Sequence, residues 1–114
     1  MSASELAYEI EPRDFADRLS QNAAIAILDC RETWEHQAAN IAGAELIPMN
    51  TIPANLQQIE ALAEDKLLVV YCHHGVRSLH TVAWLRQQGI GNAMSLSGGI
   101  DRWSMEIDPK VPRY

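Results

Sequence analysis

Directly after the apolar run Leu67–Tyr71 the chain places Cys72, His73, His74, Gly75, Val76, Arg77 and Ser78 in succession. A thiol beside two imidazoles, a glycine and a guanidinium admits metal binding, inert packing or nucleophilic chemistry. Zinc fits poorly, because Cys72, His73 and His74 are consecutive and common zinc sites space their ligands by two or more residues. A Cys–His dyad is open, although neighbours in sequence seldom face each other as nucleophile and base. A buried, inert cysteine is the default for a lone thiol, yet such a residue rarely precedes a glycine, an arginine and a helix start. A helix beginning near Ser78 would aim unpaired N–H groups at the loop, and its dipole favours negative charge there. Gly75 lets the backbone curl so that those groups converge. A thiolate so placed has a pKa below the free value of ~8.5. Arg77 adds a permanent charge and a forked donor for an oxyanion. The parts suit a nucleophilic thiolate that meets an anion.

Elements to hold this loop are legible on both sides of it. Ala7–Ile10 reads as a short strand, and Pro12 suits the first turn of a helix with Phe15, Ala16 and Leu19 on one face. Ala24–Asp29 and Leu67–Tyr71 are continuous apolar runs, as expected of strands covered on both faces. Between them, Arg31–Asn40 reads as loop and helix, Gly43 as a break, and Ala44–Ile47 as a short strand ended by Pro48. Leu56, Ile59, Leu62 and Ala63 form a helical stripe. From Ser78 to Gln88 the positions Leu79, Val82 and Ala83 have helical spacing, with Gly89 as the stop. Ala93–Gly99 reads as a last strand and tight turn before a helix bearing Trp103, and the tail Asp108–Tyr114 as irregular. Strands alternating with helices imply right-handed βαβ units and a mostly parallel sheet with helices on both faces. Ligands of such sheets bind at the carboxyl ends of strands. Cys72 lies at one such end, and Asp29 and Cys30 at another on the same edge.

Composition narrows the function classes. The chain has 114 residues, 47% of them hydrophobic, which suits one domain with its own core. A net charge of −6 argues against nucleic acid, whose phosphates recruit basic surfaces, but not against a small anion met by a local field. No apolar run is long enough to cross a bilayer. The N-terminal residues carry neither a basic nor an apolar leader signature, so a soluble, cytoplasmic chain without membrane partners is expected. Two cysteines, Cys30 and Cys72, make no disulfide framework.

Four blocks, "ILDCRETWEH", "NIAGAELIPM", "VVYCHHGVRS" and "SLSGGIDRW", resemble those of the rhodanese-like sulfurtransferases in order and spacing, over nearly the whole chain. The closest likeness is to single-domain bacterial members. The resemblance implies an α/β fold with a central parallel five-stranded sheet and helices on both faces, spanning residues 1–114 as one domain. It implies that Cys72 is the nucleophile and carries a persulfide. The N–H groups of His73, His74, Gly75, Val76, Arg77 and Ser78 would then hold the sulfane sulfur, with Arg77 closing the loop. Asp29 and Arg31 would brace that loop from the neighbouring strand. No cofactor or metal is called for. The implied donor is a small sulfur-containing anion such as thiosulfate; the acceptor is a thiol, cyanide or a protein. Gly98 and Gly99 would form a turn, and they lack the third spaced glycine of a dinucleotide fingerprint.

Two departures stand out. The family's frequent histidine and proline are absent from Asn40-Ile41-Ala42-Gly43, positions that look structural. His73 stands where arginine is frequent, and an imidazole is mostly neutral above ~6.5, which leaves less fixed positive charge. Cysteine phosphatases and arsenate reductases use a similar cradle. Their signature is one residue longer than the four between Cys72 and Arg77, and the tighter ring suits one sulfur atom. A relay or protein-binding module without turnover is the other alternative. Cys30 is a small filler on one reading and a partner that resolves oxidised Cys72 into a disulfide on the other. Trp34 is a candidate for the site mouth or rim, Trp84 and Trp103 for packing. His73 and His74 are either solvated or share in attracting the anion.

Overall fold

The strand runs and helical stripes assemble, in a computed structural model that describes residues 6–114, into one sheet with helices on both faces. The strands are β1 (Glu9–Ile10), β2 (Ile25–Asp29), β3 (Ala44–Leu46), β4 (Leu67–Tyr71) and β5 (Ala93–Leu96). The helices are α1 (Pro12–Ser20), α2 (Thr33–Ala38), α3 (Leu56–Ala63), α4 (Val76–Gln87) and α5 (Gly99–Glu106), with two short 3-10 turns between β3 and α3. The sheet order is β1-β5-β4-β2-β3, and every pairing is parallel. The expected parallel five-stranded architecture is therefore observed.

Side-chain alternation divides the core into two. Ala26, Leu28, Leu68, Val70 and Ala93 pack against Ile59 and Ala63 of α3 and Val82 and Leu85 of α4. Ile27, Val69, Tyr71, Met94 and Leu96 face the other way, onto Phe15 of α1 and Ile100 and Trp103 of α5. Fully burying each such apolar side chain contributes roughly 1.5–3 kcal/mol, so β2 and β4 are held from both faces. Continuing the alternation one residue past each strand puts Cys30 and Cys72 on the α3/α4 side. Asp29 and Tyr71, by contrast, join through a hydrogen bond on the α1/α5 side.

Two expectations change. Helix α4 begins at Val76, two residues before Ser78, because Gly75 takes a left-handed conformation (φ 102°) and caps it. Arg77 and Ser78 thus lie in the first helical turn. The buried face of α4 is Ser78, Thr81, Val82 and Leu85 rather than a stripe through Leu79 and Ala83, since Ser78 and Thr81 pack beside the two cysteines. Trp103 is buried and Trp84 packs at the core margin. No described helix is long and apolar enough to cross a membrane.

Candidate active site

Strand β4 ends at Tyr71, and the next residue, Cys72, is 1% exposed at the centre of the turn into α4. Its sulfur accepts the Gly75 N–H at 3.1 Å and the Ser78 N–H at 3.3 Å, and the Ser78 hydroxyl lies 3.4 Å away. Ser78 is itself fixed by Ser95 of β5, with 2.7 Å between their hydroxyl oxygens. On the sheet side the Cys30 thiol donates to the Tyr71 carbonyl oxygen at 3.4 Å, and Cys30 lies beside Cys72 in the same core cluster.

These donors act on ionisation. Hydrogen bonding from the Cys30 thiol is the largest influence holding the Cys72 pKa down, at about 5. Burial opposes it, and the Ser78 hydroxyl and the Ser78 and Gly75 N–H groups assist it. Cys30 moves the other way, its thiol pushed strongly up by the bond it gives to Cys72 and by burial. The two thiols thus diverge, with ionisation favoured at Cys72 and opposed at Cys30. Alkylation by iodoacetamide should accordingly show a half-point near pH 5. Cys30→Ala should raise that half-point and Cys30→Ser, which keeps a donor, should raise it less. A wild-type half-point at the unperturbed value of 9.0 would contradict this electrostatic account.

The turn from β5 into α5 secures the loop from behind. Ile100 N–H donates to the Cys72 carbonyl at 2.9 Å and Asp101 N–H to the His73 carbonyl at 3.1 Å. Gly99 makes this approach possible. A Cβ there would sit 2.6 Å from the Cys72 carbonyl oxygen, and closer still to that of His73, at a φ of +65°. Gly99→Ala should therefore displace the loop at a cost of at least ~1–2 kcal/mol from the left-handed backbone alone. The check is a lower urea midpoint together with slower Cys72 alkylation; wild-type values for both would refute the packing argument.

Arg77 does not present a free fork. Its two terminal nitrogens bond the two Glu35 oxygens at 2.7 and 2.8 Å, and this pairing is the main reason that the Glu35 pKa falls to about 2. Arg77 ties α4 to α2, and the forked contact expected toward an oxyanion is spent on Glu35. Asp29 and Arg31, both fully buried, pair through Asp29 Oδ1 to Arg31 Nε at 2.8 Å and Asp29 Oδ2 to Arg31 Nη2 at 2.7 Å. Their bracing reaches the loop indirectly. Arg31 Nη1 donates to the Tyr114 hydroxyl, which donates to Glu35 Oε2, both at 2.7 Å. The Tyr114 ring stacks on His73 with centroids 4.0 Å apart. Burial of His73 and the neighbouring His74 lower the His73 pKa, so the position carries little charge near neutrality.

Glu35 and Tyr114 are the residues that sequence reasoning missed. Glu35 had a signal, since Glu32 and Glu35 have capping-box spacing and form that box at the start of α2. Tyr114 belongs to a tail, "VPRY", that itself resembles the family's, but its role depends on where that tail returns. Trp34 is exposed, edge-on to Tyr114 at the rim, and Val76 points outward. Ligand atoms of His73, His74 and Asp101 lie within 4.8 Å of one another. The two imidazoles are stacked, however, which sets their in-plane lone pairs side by side rather than convergent, and Cys72 is not among the group.

The geometry agrees with family relationships. A rhodanese-like domain profile matches residues 11–106. A sulfurtransferase of Allochromatium vinosum is 33% identical over 90% of this chain and 94% of its own. A probable adenylyltransferase/sulfurtransferase MoeZ of Mycobacterium tuberculosis is 33% identical over 92% of this chain, which spans only 26% of that longer protein. Among solved structures, a rhodanese-related protein from Thermoplasma volcanium superposes with a TM-score of 0.79 at 30% identity, covering 95% of this chain and 100% of that one. The relatives also include tRNA uridine(34) hydroxylases. This chain belongs to the rhodanese-like domain family, and sulfurtransferases are among its relatives.

Proposed function

We propose that the chain is a sulfurtransferase that carries a sulfane sulfur on Cys72, taken from thiosulfate or a similar small anion and passed to a thiophilic acceptor. The carrying observation is the convergence of the Gly75 N–H, the Ser78 N–H and the Ser78 hydroxyl on the Cys72 sulfur. The thiolate attacks the outer sulfur of thiosulfate, and sulfite leaves with the electron pair of the broken S–S bond. The outer sulfur of the resulting persulfide is the new anionic centre, and N–H groups of the loop from His73 to Ser78 would stabilise it, as an oxyanion hole does; the Gly75 and Ser78 N–H groups on the Cys72 sulfur support this role. An acceptor then attacks that sulfur and Cys72 returns as thiolate. Arg77 serves by closing the loop onto Glu35, leaving the backbone as the anion-binding element.

Two half-reactions through a covalent intermediate give ping-pong kinetics. Incubation with thiosulfate should add the mass of one sulfur, and cyanide should remove it as thiocyanate. Failure of thiosulfate and of organic persulfides to add sulfur would overturn the reading. Exposed Trp34, Val76 and Met49 favour a protein as the acceptor in a relay. That form predicts faster discharge by a protein thiol than by cyanide.

A further inference from the structure

Cys30 is a buried nucleophilic group that the transfer cycle above does not consume. The β2–β4 ladder pairs Asp29 with Tyr71 and continues one residue further, since Cys30 N–H donates to the Tyr71 carbonyl at 3.1 Å. Cys30 therefore lies alongside Cys72, on the same face of the sheet and in the same core cluster, each 1% exposed. Neighbouring strands run ~4.8 Å apart, inside the Cα separation of ~4.4–6.8 Å that a disulfide requires. Cys30 approaches Cys72 from the sheet, its thiol donating to the Tyr71 carbonyl at 3.4 Å, whereas the Gly75 and Ser78 N–H groups reach the Cys72 sulfur from the loop.

From this placement we infer that Cys30 is a second reacting thiol, which attacks Sγ of the Cys72 persulfide and releases the sulfane sulfur as hydrosulfide. The inference rests on the persulfide reading above. A bond forms between the two cysteine sulfurs, and the bond from Cys72 Sγ to the outer sulfur breaks. The outer sulfur leaves with the electron pair, and the Cys30 proton goes with it. Both cysteines are oxidised to a disulfide while the sulfane sulfur is reduced to sulfide, so no outside oxidant is needed. The N–H groups that favour an anionic outer sulfur also favour its departure as an anion. Before loading, Cys30 is a protonated donor to the Cys72 thiolate. Loading moves the negative charge outward onto the terminal sulfur and frees Cys30 from that bond. A dithiol reductant is required to reopen the pair, so without one the chain performs a single release.

The test loads wild type, Cys30→Ala and Cys30→Ser with thiosulfate, removes the donor, and follows intact mass and free sulfide without any acceptor. Wild type should lose its added sulfur and end at the mass of the reduced chain less the hydrogens of both thiols, with matching sulfide. Both variants should keep the sulfur, and decay should be faster in wild type by on the order of tenfold or more, as an intramolecular attack allows. Serine retains a donor at position 30, so persistence in Cys30→Ser assigns the effect to the sulfur and not to the hydrogen bond. Equal lifetimes in all three proteins, or sulfide release without the disulfide, would overturn this inference alone. Absence of any sulfur adduct on all three, with thiosulfate and again with an organic persulfide as donor, would overturn the sulfurtransferase reading, and this one with it.

Discussion

Replacing Cys72 with serine will leave the fold intact and abolish both the sulfur adduct and turnover. Serine nearly matches the thiol in size, and the Gly75 and Ser78 N–H groups and the Ser78 hydroxyl that meet the sulfur can bond its oxygen, so packing is kept. Its hydroxyl does not ionise in the pH range where Cys72 is already a thiolate, with a pKa of about 5. Losing the nucleophile of a covalent cycle should lower the rate by at least about three orders of magnitude. A second readout is independent of activity. Cys72 has a folded pKa below its unfolded value of 9.0, so folding favours the thiolate and the chain gains stability as pH rises from about 5 to 9. That contribution is lost as pH falls through the folded pKa. Urea midpoints of wild type should thus climb across the window relative to Cys72→Ser and converge with it in acid. An adduct on the serine variant, or parallel pH profiles, would remove Cys72 from its assigned role.

The largest effect on stability is expected at the other end of the bracing network. Asp29→Ala removes a fully buried carboxylate that accepts from Arg31, from the Tyr71 hydroxyl at 3.1 Å and pairs with His36 Nδ1 at 2.8 Å. Arg31, fully buried as well, would retain only the Tyr114 hydroxyl and the Ala39 carbonyl. Leaving a buried charge without its partner costs roughly 3–5 kcal/mol, against a total stability of roughly 5–15 kcal/mol for a domain. The variant should unfold at a much lower urea concentration, and its Cys72 alkylation should lose the acidic half-point as the loop loosens. Burial alone would raise the Asp29 pKa, but bonds from Arg31 and His36 bring it below its usual value. Its contribution is therefore present above the ordinary carboxylate range and lost as pH falls through the depressed value. A stability change under about 1 kcal/mol, the range of a surface ion pair, would show that the pair is not structural.

Much of this was legible in the residue order. Continuous apolar runs marked β2 and β4 because strands covered on both faces have no polar side to show, and alternation with helical stripes implied the parallel sheet. The cysteine loop announced itself through Gly75, Arg77 and the helix start, each tied to a local backbone requirement. The first turn of α4 starts two residues before the expected Ser78, since Gly75 takes the left-handed conformation that caps it. In the sequence Arg77 has the character of an anion fork, because its charge is visible there and its partner, Glu35, is not. Glu35 lies far from Arg77 along the chain, and only the tertiary fold brings the two side chains within bonding distance.

The chain's sequence by itself determined the α/β class through local periodicity, and four motif blocks in order pointed to the family and to Cys72 as the proposed bearer of the reactive sulfur. Tertiary structure alone decided how that sulfur is charged. The register of β2 on β4 places Cys30 against Cys72, and proximity across strands, which spacing along a chain does not encode, makes one thiol the proton donor of the other. It also decided that Tyr114 joins Arg31, Glu35 and His73 into one support. That contact exists only because the tail folds back to the strand ends.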